Sequence, residues 1–270
     1  MTADPQASGD QPRHGARGPR AVALIALALG LAGLVISAAG LATQLLPRHF
    51  TAAQQQQIEN WEIASRWQQL PAGRIFPASV RYQLPATMLQ DATPVNLDAR
   101  RIGIAPQSGC GAGITTSAAA AVLRREGCRA ILRATYVDAT WSYVMTVGVA
   151  VLPSHAAAEK ASQSLSQPRL TAARSAGAGR LDAGILVVRY HGTAAAMYDY
   201  IRQISASFAK GPYLVMYAAG FADSRPRVPV ASDRYSDAEM TFLAQGVARS
   251  VADTLAAPPA SPHCPGAPGC

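Results

Sequence analysis

The chain has 270 residues, of which 49% are apolar and only 15% charged, with a formal net charge of +8. Soluble domains carry about a quarter charged residues, so this composition is charge-poor, and its apolar content excludes disorder over most of the length. The length suits one ordinary domain with additions, or two small ones.

Residues 1–20 are polar, with Pro, Gly and mixed charge, and read as a disordered cytoplasmic tail. Residues 21–46, AVALIALALGLAGLVISAAGLATQLL, are 26 residues without a charge, and their only polar side chains are Ser37, Thr43 and Gln44. As a helix the run reaches about 39 Å, against a bilayer core of about 30 Å, and reads as transmembrane. Arg13, Arg17 and Arg20 precede it while only Arg48 follows closely, which puts the N-terminus in the cytoplasm and everything after residue 47 outside. The competing reading is a cleaved secretory signal. Its apolar core would be about 7–15 residues, well short of this run, although Ser37-Ala38-Ala39 offers a small-residue cut. No Cys follows to carry a lipid.

Ala26, Gly30, Gly33, Ser37 and Gly40 lie on one face of this helix. In lipid, close backbone approach at small residues is the usual means of helix association, so the stripe reads as a seat for a second copy or a partner helix. Chance in an Ala/Gly-rich run is the other explanation.

Residues 47–73 read as a juxtamembrane helix and linker: Ile63, Trp67 and Leu70 share a face, and Pro71 ends the helix. Trp61 and Trp67 suit packing on the domain better than a membrane interface. The folded domain is expected over 74–257. IFPASVRY within 74–83 reads as a strand that Pro77 confines to an edge or bulge. Residues 84–109, with three Pro and little periodicity, read as a long loop.

All four cysteines, Cys110, Cys128, Cys264 and Cys270, lie on the outer side. An even count in an oxidising place suggests disulfides, and of three connectivities the local one is favoured, Cys110 with Cys128 and Cys264 with Cys270. The first would enclose a short helix between two Gly-Cys pairs. His263 beside Cys264 and Cys270 offers three metal ligands, but zinc sites usually need four and prefer closely paired cysteines, so no metal and no cofactor is expected.

RAILRATYVD and WSYVMTVGVAVLP, within 129–153, are rich in Val, Ile, Thr and Tyr and read as a β-hairpin turning at Asp138-Ala139-Thr140. Ser154 caps an Ala-rich helix to about Leu165. Residues 166–182 read as a loop and GILVVRYHG, 184–192, as a strand. Residues 194–209 fit a helix face (Met197, Ile201, Ile204, Phe208), yet RQISASFAKGPYLVMYAAGFAD fits a hairpin turning at Gly211-Pro212, and the hairpin is preferred because YLVMYAAGF needs a strand neighbour. After a charged loop, Ser236 and Glu239 form a capping box, and Met240, Leu243, Val247, Val251 and Leu255 make one apolar stripe. Pro258 and Pro259 end it, leaving 258–270 as a Pro/Gly-rich tail. The sum is an α+β fold: an N-terminal transmembrane helix, then an extracytoplasmic domain with five or six strands in an antiparallel sheet covered by helices on one face.

The chemistry-bearing patterns are missing. There is no Gly-x-Ser-x-Gly elbow, no His-Glu-x-x-His and no phosphate loop. Beyond the membrane the histidines are His49, His155, His191 and His263, and His191 at a strand end lacks an evident partner. Asp182, Asp199 and Asp223 are ordinary strand-end acids. No enzyme is expected. Beyond residue 47 the net charge is +7, almost all from arginine, with concentrations at Arg100-Arg101, Arg124-Arg125, Arg129-Arg133 and Arg225-Arg227. Such a surface draws anionic lipid head groups or acidic wall polymers, unless the excess is scattered and serves solubility. A nucleic-acid partner is not expected outside a cell.

The Ala/Arg-rich, Lys-poor composition resembles that of proteins from high-G+C Gram-positive bacteria. GCRAILRATYVDATWSYVMTVGVAVLPS with the upstream Cys110, followed by GPYLVMYAAGFADSRPR, resembles single-pass, membrane-anchored or secreted proteins of actinobacteria that carry no assigned function. The resemblance covers about 100–260. It implies the Cys110–Cys128 pairing and an extracytoplasmic place, and brings no catalytic residue. Three functions remain: an anchored envelope module binding a protein or wall component, which is preferred; a carrier or sensor of a small apolar ligand; and an enzyme of unfamiliar type. The topology is checked by adding protease to intact cells: the portion after residue 47 is expected to be digested, and its survival until lysis would refute the outside placement.

Overall fold

The computed structural model describes residues 51–86, 93–166, 184–193, 202–223, 225 and 234–259. The apolar run 21–46, with Ala26, Gly30, Gly33, Ser37 and Gly40, lies outside the described residues, as do Cys264 and Cys270. Among the described residues no helix is long and apolar enough to cross a membrane.

In chain order come α1 (Ala52–Gln69), α2 (Ala72–Ile75), β1 (Ser79–Leu84), β2 (Val95–Ser108), α3 (Ser117–Arg125), β3 (Ala130–Asp138), β4 (Tyr143–Val151), α4 (His155–Ser166), β5 (Arg202–Lys210), β6 (Tyr213–Phe221) and α5 (Arg234–Ala256). The strands form one antiparallel half-barrel sheet in the order β1-β2-β3-β4-β6-β5, giving an α+β fold. Two hairpins supply four of its six strands. β3 pairs with β4 through Tyr136↔Met145, and β5 with β6 through Lys210↔Tyr213. The second turns at Gly211, whose φ of 56° a side chain would disfavour. The β3–β4 turn is held by Asp138, whose carboxylate accepts the N–H groups of Thr140 (2.9 Å) and Tyr143 (2.7 Å).

α5 touches β1 at one edge of the sheet and β5 at the other, so it lies across the concave face. Met240, Leu243, Val247, Val251 and Leu255 are fully buried there against Met145, Val147, Val149 and Val215. Burying each such side chain stabilises the fold by about 1.5–3 kcal/mol. α1 joins this face: Ile58 is buried, Ile63, Trp67 and Leu70 pack on the core, and Arg66 donates to the carbonyls of Leu255 (3.2 Å) and Ala257, capping the C-terminus of α5.

The sheet is covered on both faces, not one. On the convex side α3 and α4 pack Leu123, Ala158 and Ala161 on Ile131, Ala150, Leu214 and Met216. All nine positions of β6 are therefore buried. The disulfide Cys110–Cys128 closes the segment that carries α3, with 18 residues of separation. A loop of this size contributes about 3 kcal/mol by restricting the unfolded chain. Thr116 caps α3, accepting the N–H of Ala119 (3.2 Å), and Ser154 caps α4, accepting that of Ala157 (3.2 Å).

Three local expectations are corrected. Residues 95–108, expected within a loop, form the longest strand; its pairing with β3 shifts register between Ala105 and Ser108, where Pro106 sits free of the ladder. Residues 184–192, expected as a strand, make only the bridge Ile114↔Ile185. α5 begins at Arg234, so Ser236 lies inside its first turn and not at its N-cap, and the Glu239 carboxylate accepts the Tyr143 hydroxyl (2.5 Å).

At Gly246 of α5 an added Cβ would lie 2.5 Å from Cβ of Tyr82 on β1. Gly246→Ala is expected to push β1 from α5 and cost about 1–3 kcal/mol, read from urea unfolding; an unchanged midpoint would refute this packing.

Candidate functional site

Along α5, Phe242, Gln245 and Arg249 flank the fully buried stripe. Their flanks are grooves. One, about 400 Å³, lies between α5 and the β5–β6 hairpin and is lined by Ser207, Phe208, Tyr217, Gln245 and Arg249. The other, about 280 Å³, lies between α5 and β1 and shares Gln245 and Arg249, adding Tyr82, Gln83 and Phe242. The pair forms one mouth on the concave side of the half-barrel, with Arg249 exposed on the ridge between the grooves. Tyr217 and Tyr82 point inward from the sheet. Burial pushes both phenols above the ordinary value; Gln245, by a hydrogen bond, and the charge of Arg249 oppose this at Tyr217, while the carboxylates of Asp138 and Glu239 reinforce it at Tyr82. Both therefore stay neutral at any physiological pH and act as hydrogen-bonding groups. Arg249 makes no ion pair among the described residues.

The convex face carries a second polar arrangement. Residues 184–193 cross it as a strap held by side chains instead of a ladder. Thr135 Oγ1 donates to the Val188 carbonyl (2.9 Å), Thr146 Oγ1 accepts the Val188 N–H (3.2 Å), and the two hydroxyls lie 3.0 Å apart, closing a ring of three hydrogen bonds. Arg133 donates to the Leu186 carbonyl (3.2 Å), and Leu186 N–H donates to Gly113 (2.8 Å). Ile185 fills the notch at Gly148, where a Cβ would meet its Cδ1 at 2.2 Å. Strand glycine here marks close approach.

A hollow of about 220 Å³ lies by α1 and α2, lined by Trp67, Leu70, Ile75, Phe76, Ile104 and Leu132. It falls below the roughly 300 Å³ of a ligand pocket, and lacks the Val, Tyr and Met lining expected for a carrier.

Of the residues marked by the sequence, Cys110 and Cys128 are bonded. His191 is exposed on the strap, and no carboxylate pairs with it among the described residues. His155 faces Glu159 (3.2 Å) on α4 and the Gly211 carbonyl (3.2 Å). Asp223 is held below its usual value by Arg225, which hydrogen-bonds it and stacks 4.6 Å from the Phe221 ring centroid. Asp182, Asp199, His49, His263 and Arg227 lie outside the described residues. The basic pairs disperse: Arg101 reaches the Phe76 carbonyl, Arg125 meets Glu126 (3.1 Å), and Arg133 serves the strap. No cluster of three or more His, Cys, Asp or Glu suited to a metal occurs among the described residues. The sequence did not single out Gln245, Arg249 or Tyr217, which look like ordinary surface and strand residues until α5 is docked.

Comparison with protein-family models, with curated proteins and with solved structures finds no match to the chain.

Thr146→Val removes the acceptor of the Val188 N–H inside the convex face. A loss of about 1–3 kcal/mol is expected, with faster amide exchange concentrated at 186–190; uniform exchange along the chain would refute side-chain anchoring of the strap.

Proposed function

We propose that the protein is a membrane-anchored, extracytoplasmic binding module, and that the mouth flanking α5 takes an anionic component of the cell envelope. The apolar run 21–46 supplies the anchor and the arginine-rich outer part supplies the attraction. The observation that carries the reading is Arg249: an exposed guanidinium with no ion pair among the described residues, set where two grooves meet, beside the Gln245 amide and neutral phenols. A guanidinium presents a planar fork of donors that matches phosphate or carboxylate oxygens, and the Phe208 and Phe242 rings suit the carbon skeleton of the same ligand. Nothing in this site calls for a nucleophile or a general base, so binding without turnover is the simplest use of it. The carrier reading ranks second, because the one apolar hollow described is small and open to the surface.

The test uses the full chain in phosphatidylcholine nanodiscs, titrated with poly(glycerol phosphate) at fixed ionic strength. Charge-assisted hydrogen bonds are worth about 1.5–3 kcal/mol, so Arg249→Glu is expected to weaken binding about tenfold or more. Equal affinity of wild type and Arg249→Glu, or no binding by wild type, would overturn the reading.

A further inference from the structure

Arg133 stands in the middle of β3 on the convex face, half-buried, beneath the strap. One of its terminal nitrogens, Nη1, donates to the Leu186 carbonyl, but its Nε is buried and has no hydrogen-bond partner among the described residues. The Tyr190 hydroxyl is likewise buried without a partner. Tyr190 lies on the strap two residues past Val188, which hydrogen-bonds Thr135 and Thr146, and its ring rests on Gly103 of β2, where a Cβ would meet ring carbons at 2.5 Å and the hydroxyl oxygen at 2.9 Å. Gly103 pairs with Thr135 and Ala105 with Arg133, so the phenol and the guanidinium occupy neighbouring positions on one face.

Both orphan groups are donors. A buried donor without an acceptor costs about 1–3 kcal/mol, more for a charged group, and structures rarely leave two such groups side by side. The electrostatics point the same way. Burial lowers the tendency of Arg133 to hold its proton, Tyr190 is the group that opposes this, and no carboxylate among the described residues acts on it. Burial pushes the Tyr190 phenol up, with Arg133 and then Arg101 pulling it down. A half-buried cation with no acid beside it among the described residues, facing a neutral phenol, is suited to an oxyanion.

We propose that Arg133 and Tyr190 form a binding site for a compact oxyanion, phosphate or carboxylate, that accepts the Arg133 Nε–H with one oxygen and the Tyr190 hydroxyl with another. The approach runs along the end of the strap, where Arg189, His191, Gly192 and Thr193 are exposed. There the backbone turns back through the Thr193 N–H to the Tyr190 carbonyl (3.3 Å), with Gly192 at φ 74°. An anion bound there would tie the strap to the sheet past Val188, making strap order depend on ligand. This site is separate from the mouth along α5, and does not rest on it.

The full chain in neutral detergent is titrated with sodium phosphate and, in a second arm, sodium acetate, each against sodium chloride at equal ionic strength. Thermal unfolding and amide exchange at 186–193 are read. Phosphate or acetate is expected to raise Tm above the chloride control and slow exchange in the strap; the arm with the larger effect identifies the oxyanion. Tyr190→Phe deletes one hydroxyl, preserves the ring on Gly103, and is expected to weaken the anion effect at least tenfold in midpoint concentration. Arg133→Lys keeps the charge without Nε and is expected to do the same, whereas Arg74→Gln, at an exposed residue of α2 outside both sites, is expected to leave it unchanged. An anion effect equal in wild type and Tyr190→Phe, an effect abolished by Arg74→Gln, or none beyond chloride in either arm would overturn the proposal.

Discussion

Burial of the central strands on both faces is the constraint from which the rest of the structure follows. An antiparallel sheet usually keeps one face for water. Here β3, β4 and β6 give up both, so every polar group they carry needs a partner inside the protein. The tyrosines of the concave face find theirs on the covering elements: Tyr136 donates to the Pro77 carbonyl (3.0 Å), Tyr213 to that of Ile63 in α1, Tyr143 to Glu239 in α5. Each phenol buries a ring and ends in a hydrogen bond to a different segment, so helix positions are fixed by direction as well as by apolar area. The cost of burial shows in Tyr213, whose phenol is pushed up to about 12 despite the Trp67 backbone N–H and the charge of Arg66.

The convex face solves the same problem differently. Its buried hydroxyls, Thr135 and Thr146, have no helix carbonyls nearby to use, since helix backbones satisfy themselves. They take instead the backbone of an extended segment, which as a lone strand on a sheet face has unpaired N–H and C=O groups of its own. Sheet side chains and strap backbone complete one another, and this explains why 184–193 is extended yet belongs to no ladder.

How far this was legible in the sequence depends on whether the signal was local. The two hairpins, the stripe of α5 and the helix over 52–69 were read correctly because period and turn residues lie within the segments themselves. β2 was missed because Arg100-Arg101 and Pro106 break its alternation, and the reason they are tolerated, a neighbouring edge strand and a register shift, is not local. The strap was read as a strand because Ile185 and Val187 are apolar for the sheet face they cover; what distinguishes it is a partner's side chains. Gly103 and Gly148, each inside a strand, were the available signals that something crosses close above. Arg249 and Arg133 carried no signal, since one arginine among many has no meaning before its neighbours are known.

Two arginines bear on function through where they sit, Arg249 between two grooves and Arg133 half-buried under the strap. Arg66 and Arg101 answer to backbone carbonyls, Arg125 and Arg225 to acids beside them in sequence, so their charges are spent within the fold. Arg249 and the Nε of Arg133 are not, although they sit on opposite faces and are separated by the sheet. A chain selected only for solubility would place surplus charge where water solvates it best, on open helix faces or loops. Arg249 keeps its hydration on the ridge between two aromatic grooves, whereas Arg133, half-buried beside a phenol, gives part of it up. An anion that supplied the missing oxygens at Arg133 would recover that loss, which is the physical basis of the site proposed there.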